Sequence, residues 1–511
     1  MTMDDPKTLS ARTLKNFGYS FFGYIFPLVF TILITPIIVH RLGVRDYGIL
    51  LLTATIMGFL NLMDFGVGMA IVKKMAEYVA KQDLLGQRRL LGSAYTIFFI
   101  LGLVGFLIFL VLGLVGLNWF HVAADQHAYV LKAFIYSGLA YVATSVSLVA
   151  VYVLKSLQRY DITVSMGLVQ NIVASLVSLL LVVQGFGLQA LLISNMIIAT
   201  VCMVVYSWRL THILPHYSFH FSWDSMEIKS SFRYGIQFFI TNLSNNTLAQ
   251  FDRLIIPLYL SPVQLSYYSL PGNVAEKING VGSSTTSVLF PLMSSLQGVS
   301  SIEKAKVVYT RVMRNMLVIT LAMAVPLALF ADPLLRFWLG PQFAEQGARV
   351  LVLLVGTNFF LALYGVLQNF LSGYGYISQL MKWSCAMAVL NVGLLLIAVP
   401  RYGITGAAWA YLFAVLPVIG CIVWTEQRIL KLPHRARFYI QFICKAVCTS
   451  AVFWVVYHWG LAPLLNGLVE VVVLGPLAVL IFLGLYKVFG FFEQEDSLLV
   501  KNYILSFIKR Y

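Results

Sequence analysis

Apolar residues dominate the chain in runs of about twenty, separated by short polar stretches. A helix rises 1.5 Å per residue, so about 20 apolar residues cross ~30 Å of hydrocarbon. Runs of that kind fall at 17–39, 48–63, 91–115 and 133–154. The stretch 162–208 holds two, broken at QGFG (184–187), and 234–260 and 266–289 follow, hinged at Ser261–Pro262. The rest lie at 315–331, 350–371, 383–399, 402–425, 438–459 and 465–486. The pattern predicts an all-α polytopic membrane protein of about 14 transmembrane helices. The first run follows a polar MTMDDPKTLSARTLK and is too long for a signal peptide's apolar region, with no A-x-A-like cleavage site behind it, so it counts as a span.

Composition agrees. Of 511 residues 60% are hydrophobic and 11% charged, against about 25% charged in soluble domains. The net charge of +15 raises the question of nucleic acid, and the distribution of the charge answers it. With the N-terminus in the cytoplasm, the basic clusters in both tails, at 73–89, 155–159, 209–233, 304–314 and 428–437, and Lys382, all face inward. Outside lie only Arg41, Arg45, Lys132, Arg336, Arg349 and Arg401, and within spans only Arg253, Lys277 and Lys445. Cytoplasmic enrichment of Lys and Arg is an orientation signal. Both termini are therefore expected in the cytoplasm, and no nucleic-acid partner is expected. Segments 64–87 and 301–316 are amphipathic and basic, the expected character of cytoplasmic helices lying along the interface.

Compared with itself at a shift of about 216 to 220 residues, the chain shows ordered matches. FGYS at 17 meets RYGI at 233, LKSLQRYD at 154–161 meets LSGYGYIS at 371–378, Asn171 meets Asn391, and GLQA at 187 meets GITG at 403. Six spans per half is an even number, so both halves start from the cytoplasm. That predicts two six-helix lobes related by a pseudo-two-fold along the membrane normal, with a site between them and alternating access. The expected division is 1–210 for the first lobe, 211–230 for a cytoplasmic linker, 231–426 for the second lobe, and 427–511 for two additional helices and a tail.

Intramembrane charges cost roughly 2.5–3.5 kcal/mol each on insertion scales and point to function. The run LAQFDRLIIPLYL carries Asp252 and Arg253, and the next span carries Glu276 and Lys277. By helical rise both pairs lie more than about 10 Å from the outer hinge, within the hydrocarbon. Asn242, Asn245, Asn246 and Gln250 recur at spacings near three and four, a polar stripe on one helical face. Asp64 ends the second span, where it can cap the following helix. Arg41 and Asp46 are expected to fix an outer turn, and Lys445 and Glu470 to pair with each other. His212, His216 and His220 are interrupted by Pro215, and the five cysteines lie in apolar surroundings as small core residues. No cofactor or metal pattern is visible, nor a nucleophile with a base. Short outer loops and histidines near span ends speak against a membrane glycan polymerase or acyltransferase.

HRLGVRDYGILLL (40–52), LMDFGVGMAIVKKMAEY (62–78), LQRYD (157–161) and GITGAAWAY (403–411) resemble bacterial polysaccharide and O-antigen-unit flippases of the multidrug/oligosaccharidyl-lipid/polysaccharide exporter superfamily. The resemblance implies transfer of an undecaprenyl-diphosphate-linked oligosaccharide across the bacterial cytoplasmic membrane, coupled to a proton or sodium gradient. It implies as partners this lipid-linked substrate, membrane lipids, and a polymerase and glycosyltransferases of the same pathway, with the chain itself a monomer. Under that implication Arg253, Lys277, Asn246 and Gln250 are the expected substrate contacts, because Arg grips phosphate bidentately and Lys acts as a point charge. Asp252, Glu276 and Asp64 are the expected coupling acids. The alternatives are a lipid II flippase and a cation-coupled drug exporter of the same superfamily. Related lipid II flippases carry a YYADRL-like stretch where this chain has YYSLPG (267–272), and drug exporters an acid in the first span, which 17–39 lacks.

Overall fold

The computed structural model describes residues 33–214, 220–224, 227, 229, 239, 243, 244, 246–286, 302–432 and 436–491. Span one before Leu33, and Asn242 and Asn245, lie outside them. All regular elements among the described residues are helical. The chain folds as two compact units, Met1–Ser266 and Tyr267–Tyr511.

Unit one contains α1 (Leu33–Leu42), α2 (Val44–Leu60), α3 (Val67–Ala80), α4 (Leu84–Leu114), α5 (His127–Ser156), α6 (Tyr160–Val183), α7 (Leu188–Ile213) and α8 (Asp252–Tyr259). Helix α5 is its hub, packing on α2, α3, α4, α6 and α7. The HRLGVRDYG motif turns α1 into α2: Gly43 takes φ +86°, a region open to glycine, and Asp46 accepts a 2.7 Å hydrogen bond from Tyr129 of α5. Gly48 is needed for close approach, since a Cβ there would collide with the Pro262 carbonyl.

Helix α3 departs from expectation. Its apolar face does not lie on lipid: Val67, Ile71 and Met75 are fully buried with Tyr95, Phe98 and Val149 of α4 and α5. Amphipathicity marks a covered face but cannot say whether lipid or protein covers it. Ser222 and Glu227, in the segment expected as a linker, are docked on unit one as well. The Ser222 amide donates to the Gly92 carbonyl (3.3 Å), Thr96 Oγ1 donates to the Ser222 carbonyl (2.9 Å), and Lys74 Nζ reaches Glu227 Oε2 at 2.6 Å. Tyr78 donates to the same carboxylate, which holds its proton and pushes the phenol up to about 12.

Helix α9 (Pro262–Thr286) runs from the end of unit one into unit two, whose further helices are α10 (Ile302–Leu329), α11 (Ala331–Leu339), α12 (Pro341–Gly373), α13 (Ile377–Val415), α14 (Pro417–Trp424), α15 (Ala436–Val456) and α16 (Leu468–Val488). Helix α12 is central, packing on α10, α11, α13 and α14. Ten helices among the described residues are long and apolar enough to span a membrane. One of them, Ile377–Ile429, covers two expected spans joined at Gly403 (φ +59°). Helix α9 forms where a span was expected but is not among these ten, because Ser, Asn, Gly, Glu276 and Lys277 dilute its apolarity.

Two expectations about α15 and α16 fail. Lys445 donates to the Gly490 carbonyl (3.0 Å), whereas Glu470 lies in the first turn of α16. The twenty residues between Glu470 and Gly490 span about 30 Å of helix, so Lys445 and Glu470 belong to opposite ends. Cys444 and Cys448 are exposed rather than core, and only Cys421 is buried. On a lipid-facing helix an apolar residue need not point inward.

The stretches matched at a shift of 217 close with one turn geometry. Gln158 (φ +57°) and Gly375 (φ +88°) both occupy the left-handed region. The Arg159 amide donates to the Leu154 carbonyl (2.9 Å), as the Tyr376 amide does to the Leu371 carbonyl (2.8 Å). This six-to-one bond over a left-handed residue is a Schellman helix stop.

Candidate transport site

Asn246, Gln250 and Arg253 recur at four and three residues, so they share a helical face. That face meets α2: a Cβ on Gly58 would lie 2.9 Å from Gln250 Oε1, and Phe59 packs edge-on to Phe251 at 6.3 Å. Arg253 lies within electrostatic reach of buried Tyr47 of α2. Asp252 is only 2% exposed and its Oδ1 accepts the Arg253 backbone N–H at 2.8 Å. Neighbours i and i+1 project in different directions on a helix, so adjacency in sequence does not make this acid and base a face-to-face pair. All of these lie in unit one. Glu276, exposed, and Lys277, half-buried, lie on the part of α9 that belongs to unit two.

Asp64 is built into a knuckle. Its Oδ1 accepts from the Gly66 amide (2.8 Å) and its Oδ2 from the Tyr152 hydroxyl (3.1 Å). Gly66 takes φ +74°, and Gly68 leaves the space that the Tyr152 ring fills. The DFGVG motif thus ends the second span and starts α3, with Asp64 capping the junction.

Two cavities were not foreseen. In unit two an apolar cavity of about 960 Å³ lies between α10, α12, α14 and α15, lined by Leu317, Leu321, Phe359, Ile422, Val447 and Trp454 among others. Tyr439 on its wall donates to Glu426 (2.6 Å), which is 5% exposed. In unit one a smaller cavity of about 240 Å³ lies between α2, α5, α6 and α7 and carries hydroxyls and amides. Sequence could not show either, because each lining is assembled from four separate helices and its residues are ordinary within them.

A chain whose described residues form long apolar helices, with hollows between them, has a membrane-transporter type of architecture. The chain belongs to the polysaccharide biosynthesis protein family, whose profile matches residues 38–347. It is 19% identical over 417 residues to a candidate O-antigen transporter of Shigella flexneri, covering 81% of this chain and 98% of that protein. It is 21% identical over 433 residues to AglR of Haloferax volcanii, a flippase candidate, covering 83% and 86%. Among solved structures it matches the lipid II flippase MurJ in an inward closed conformation, at TM-score 0.71 and 13% identity over 91% of this chain and 99% of that one. A multidrug resistance MATE family transporter in an inward-facing conformation matches at TM-score 0.62 and 16% identity, over 79% and 95%. At these identities the structural matches establish the fold.

Proposed function

We propose that this protein is a flippase that carries an undecaprenyl-diphosphate-linked oligosaccharide from the cytoplasmic to the outer leaflet of a bacterial inner membrane, with both termini inside. The observation that carries the reading is the apolar cavity of about 960 Å³ in a member of a polysaccharide biosynthesis family. Its wall includes exposed Ile440, Ile443 and Val447, so it opens sideways to a polyprenyl tail, whereas a free sugar or finished polysaccharide has no use for an apolar groove. The names of the Shigella and Haloferax relatives support the same substrate class.

Under this reading Arg253 grips the diphosphate, with Lys277 as a second cation and Asn246 and Gln250 as hydrogen-bonding neighbours. Asp252 and Glu276 are the first choices for proton or sodium coupling. Asp64 ranks after them because both of its oxygens already hold the knuckle. Alternating access driven by the ion gradient completes the cycle.

The test is complementation of surface polysaccharide in a strain deleted for this gene, at matched membrane levels. Arg253→Lys is expected to retain part of the transport and Arg253→Ala to abolish it. The double change Asp252→Asn with Arg253→Gln leaves no net charge and is expected to fail. Full complementation by the double variant would reduce Arg253 to a structural charge.

A further inference from the structure

Ser137 of α5 is 2% exposed, and its Oγ has no hydrogen-bond partner among the described residues. A buried polar group normally finds a partner, and an exception asks for an explanation. Ser137 lines the small cavity of unit one, which also carries Thr53 of α2, Thr144 of α5, Gln170 of α6 and Asn195 of α7. Thr53 lies nine residues into α2, about 14 Å from its outer end, near the bilayer midplane.

The hydrogen-bond chemistry of the wall is specific. Thr53 Oγ1 donates to the Leu50 carbonyl and Thr144 Oγ1 to the Ala140 carbonyl, each at 2.9 Å. Their protons are spent, so both oxygens offer the cavity only lone pairs. The carboxamides of Gln170 and Asn195 supply N–H donors as well as acceptors, and Ser137 can serve either way. None of the lining residues is charged. A cation without a carboxylate needs a dense shell of oxygens such as a ring of backbone carbonyls, and an anion needs a cationic or dense N–H partner set; this wall, with five polar side chains among apolar ones, has neither. A neutral ligand rich in hydroxyls, each a donor and an acceptor, fits both the chemistry and a volume of about 240 Å³.

We infer that this chamber is a sugar subsite of unit one, which receives a neutral sugar ring of the cargo by way of Ser137, Gln170 and Asn195 and so contributes to glycan selectivity. The inference rests on the flippase reading and deepens it, at a place separate from Arg253 and from Asn246 and Gln250.

The experiment has two arms. In the deletion strain Ser137→Ala, Gln170→Leu and Asn195→Leu are each expected to lower polysaccharide export roughly three- to tenfold, as loss of one hydrogen bond to cargo would. In detergent micelles the purified full chain is expected to gain thermal stability from at least one of a panel of methyl hexosides and N-acetylhexosaminides, a gain that Asn195→Leu and Ser137→Ala lose. A merely structural Ser137 behaves differently: removing an unsatisfied hydroxyl raises the unfolding midpoint and leaves export intact. Normal export by Ser137→Ala and Asn195→Leu, where wild type complements, overturns the subsite. Stabilisation by sodium over potassium at equal ionic strength, without any response to glycosides, overturns it in favour of a cation site. A deletion strain with normal surface polysaccharide overturns the flippase reading itself, and the micelle arm then still decides whether the chamber takes sugars.

Discussion

The two cavities oppose each other in chemistry. The chamber of unit one is small and presents hydroxyls and amides, while that of unit two is four times larger and almost wholly apolar. In water such a difference would separate a binding site from a packing defect, because an open apolar hollow is costly to leave hydrated. Inside a bilayer the cost falls on the polar chamber instead, since lipid cannot satisfy hydroxyls. Each unit therefore departs from plain apolar packing in its own direction, which matches the two ends of the proposed cargo, one sugar and one hydrocarbon.

The largest effect is expected from reversing that chemistry. Val447, exposed on α15, lines the apolar cavity, and Ala174 of α6 lines the polar one. An Asp near the centre of a span costs roughly 2.5–3.5 kcal/mol when lipid or apolar side chains surround it. Val447→Asp is expected to abolish polysaccharide export, with Val447→Leu close to wild type. Ala174→Asp, among hydroxyls and amides, is expected to insert normally and retain measurable export. Equal behaviour of the two Asp variants, read by export at matched membrane levels, would erase the contrast.

A smaller effect separates two tyrosine–glutamate bonds, one in each unit. Tyr439 donates to Glu426 beside the apolar cavity, where Glu426 is 5% exposed. Tyr78 donates to Glu227, which is more open and also holds Lys74 at 2.6 Å. Removing a donor from a buried acceptor costs about 1–3 kcal/mol, and less where water can take the donor's place. Tyr439→Phe is expected to lower the unfolding midpoint in micelles clearly more than Tyr78→Phe does. The reverse order would place the tighter anchor on the docked linker rather than on α15.

How much was legible in the sequence follows from which constraint was physical and local. Span lengths are dictated by bilayer thickness, so α4, α5, α12 and the hairpin at Gly403 stand where apolar runs stand. Glycines of the motifs were visible as letters, but their reasons were not: Gly48 yields to the Pro262 carbonyl and Gly68 to the Tyr152 ring, neighbours 214 and 84 residues away in sequence. The apolar face of α3 was visible, and what covers it was not. Lys445 and Glu470 were misread because pairing two charges ignores that a helix of α16's length separates its ends by a bilayer. Charged candidates such as Arg253 stood out because charge is rare in spans, whereas Ser137 did not, because a lone serine in a membrane helix is commonplace until its hydroxyl is found without a partner.

The smallest expected effect is the sharpest comparison of local geometry. The helix stops after α5 and α12 share their bond pattern, yet the left-handed position holds Gln158 in one and Gly375 in the other. For an L-residue that conformation costs roughly 1–2 kcal/mol relative to the right-handed one, and glycine escapes it. Gln158→Gly is therefore expected to stabilise unit one slightly, the relief being offset in part by the freedom glycine adds to the unfolded chain. Gly375→Gln is expected to destabilise unit two by about 1 kcal/mol. Opposite small shifts in the unfolding midpoint, with export unchanged in both, would mark the two turns as one device built from different residues. If both substitutions destabilise, the Gln158 side chain holds its turn by an interaction that glycine cannot replace, and the resemblance of the two stops ends at the backbone.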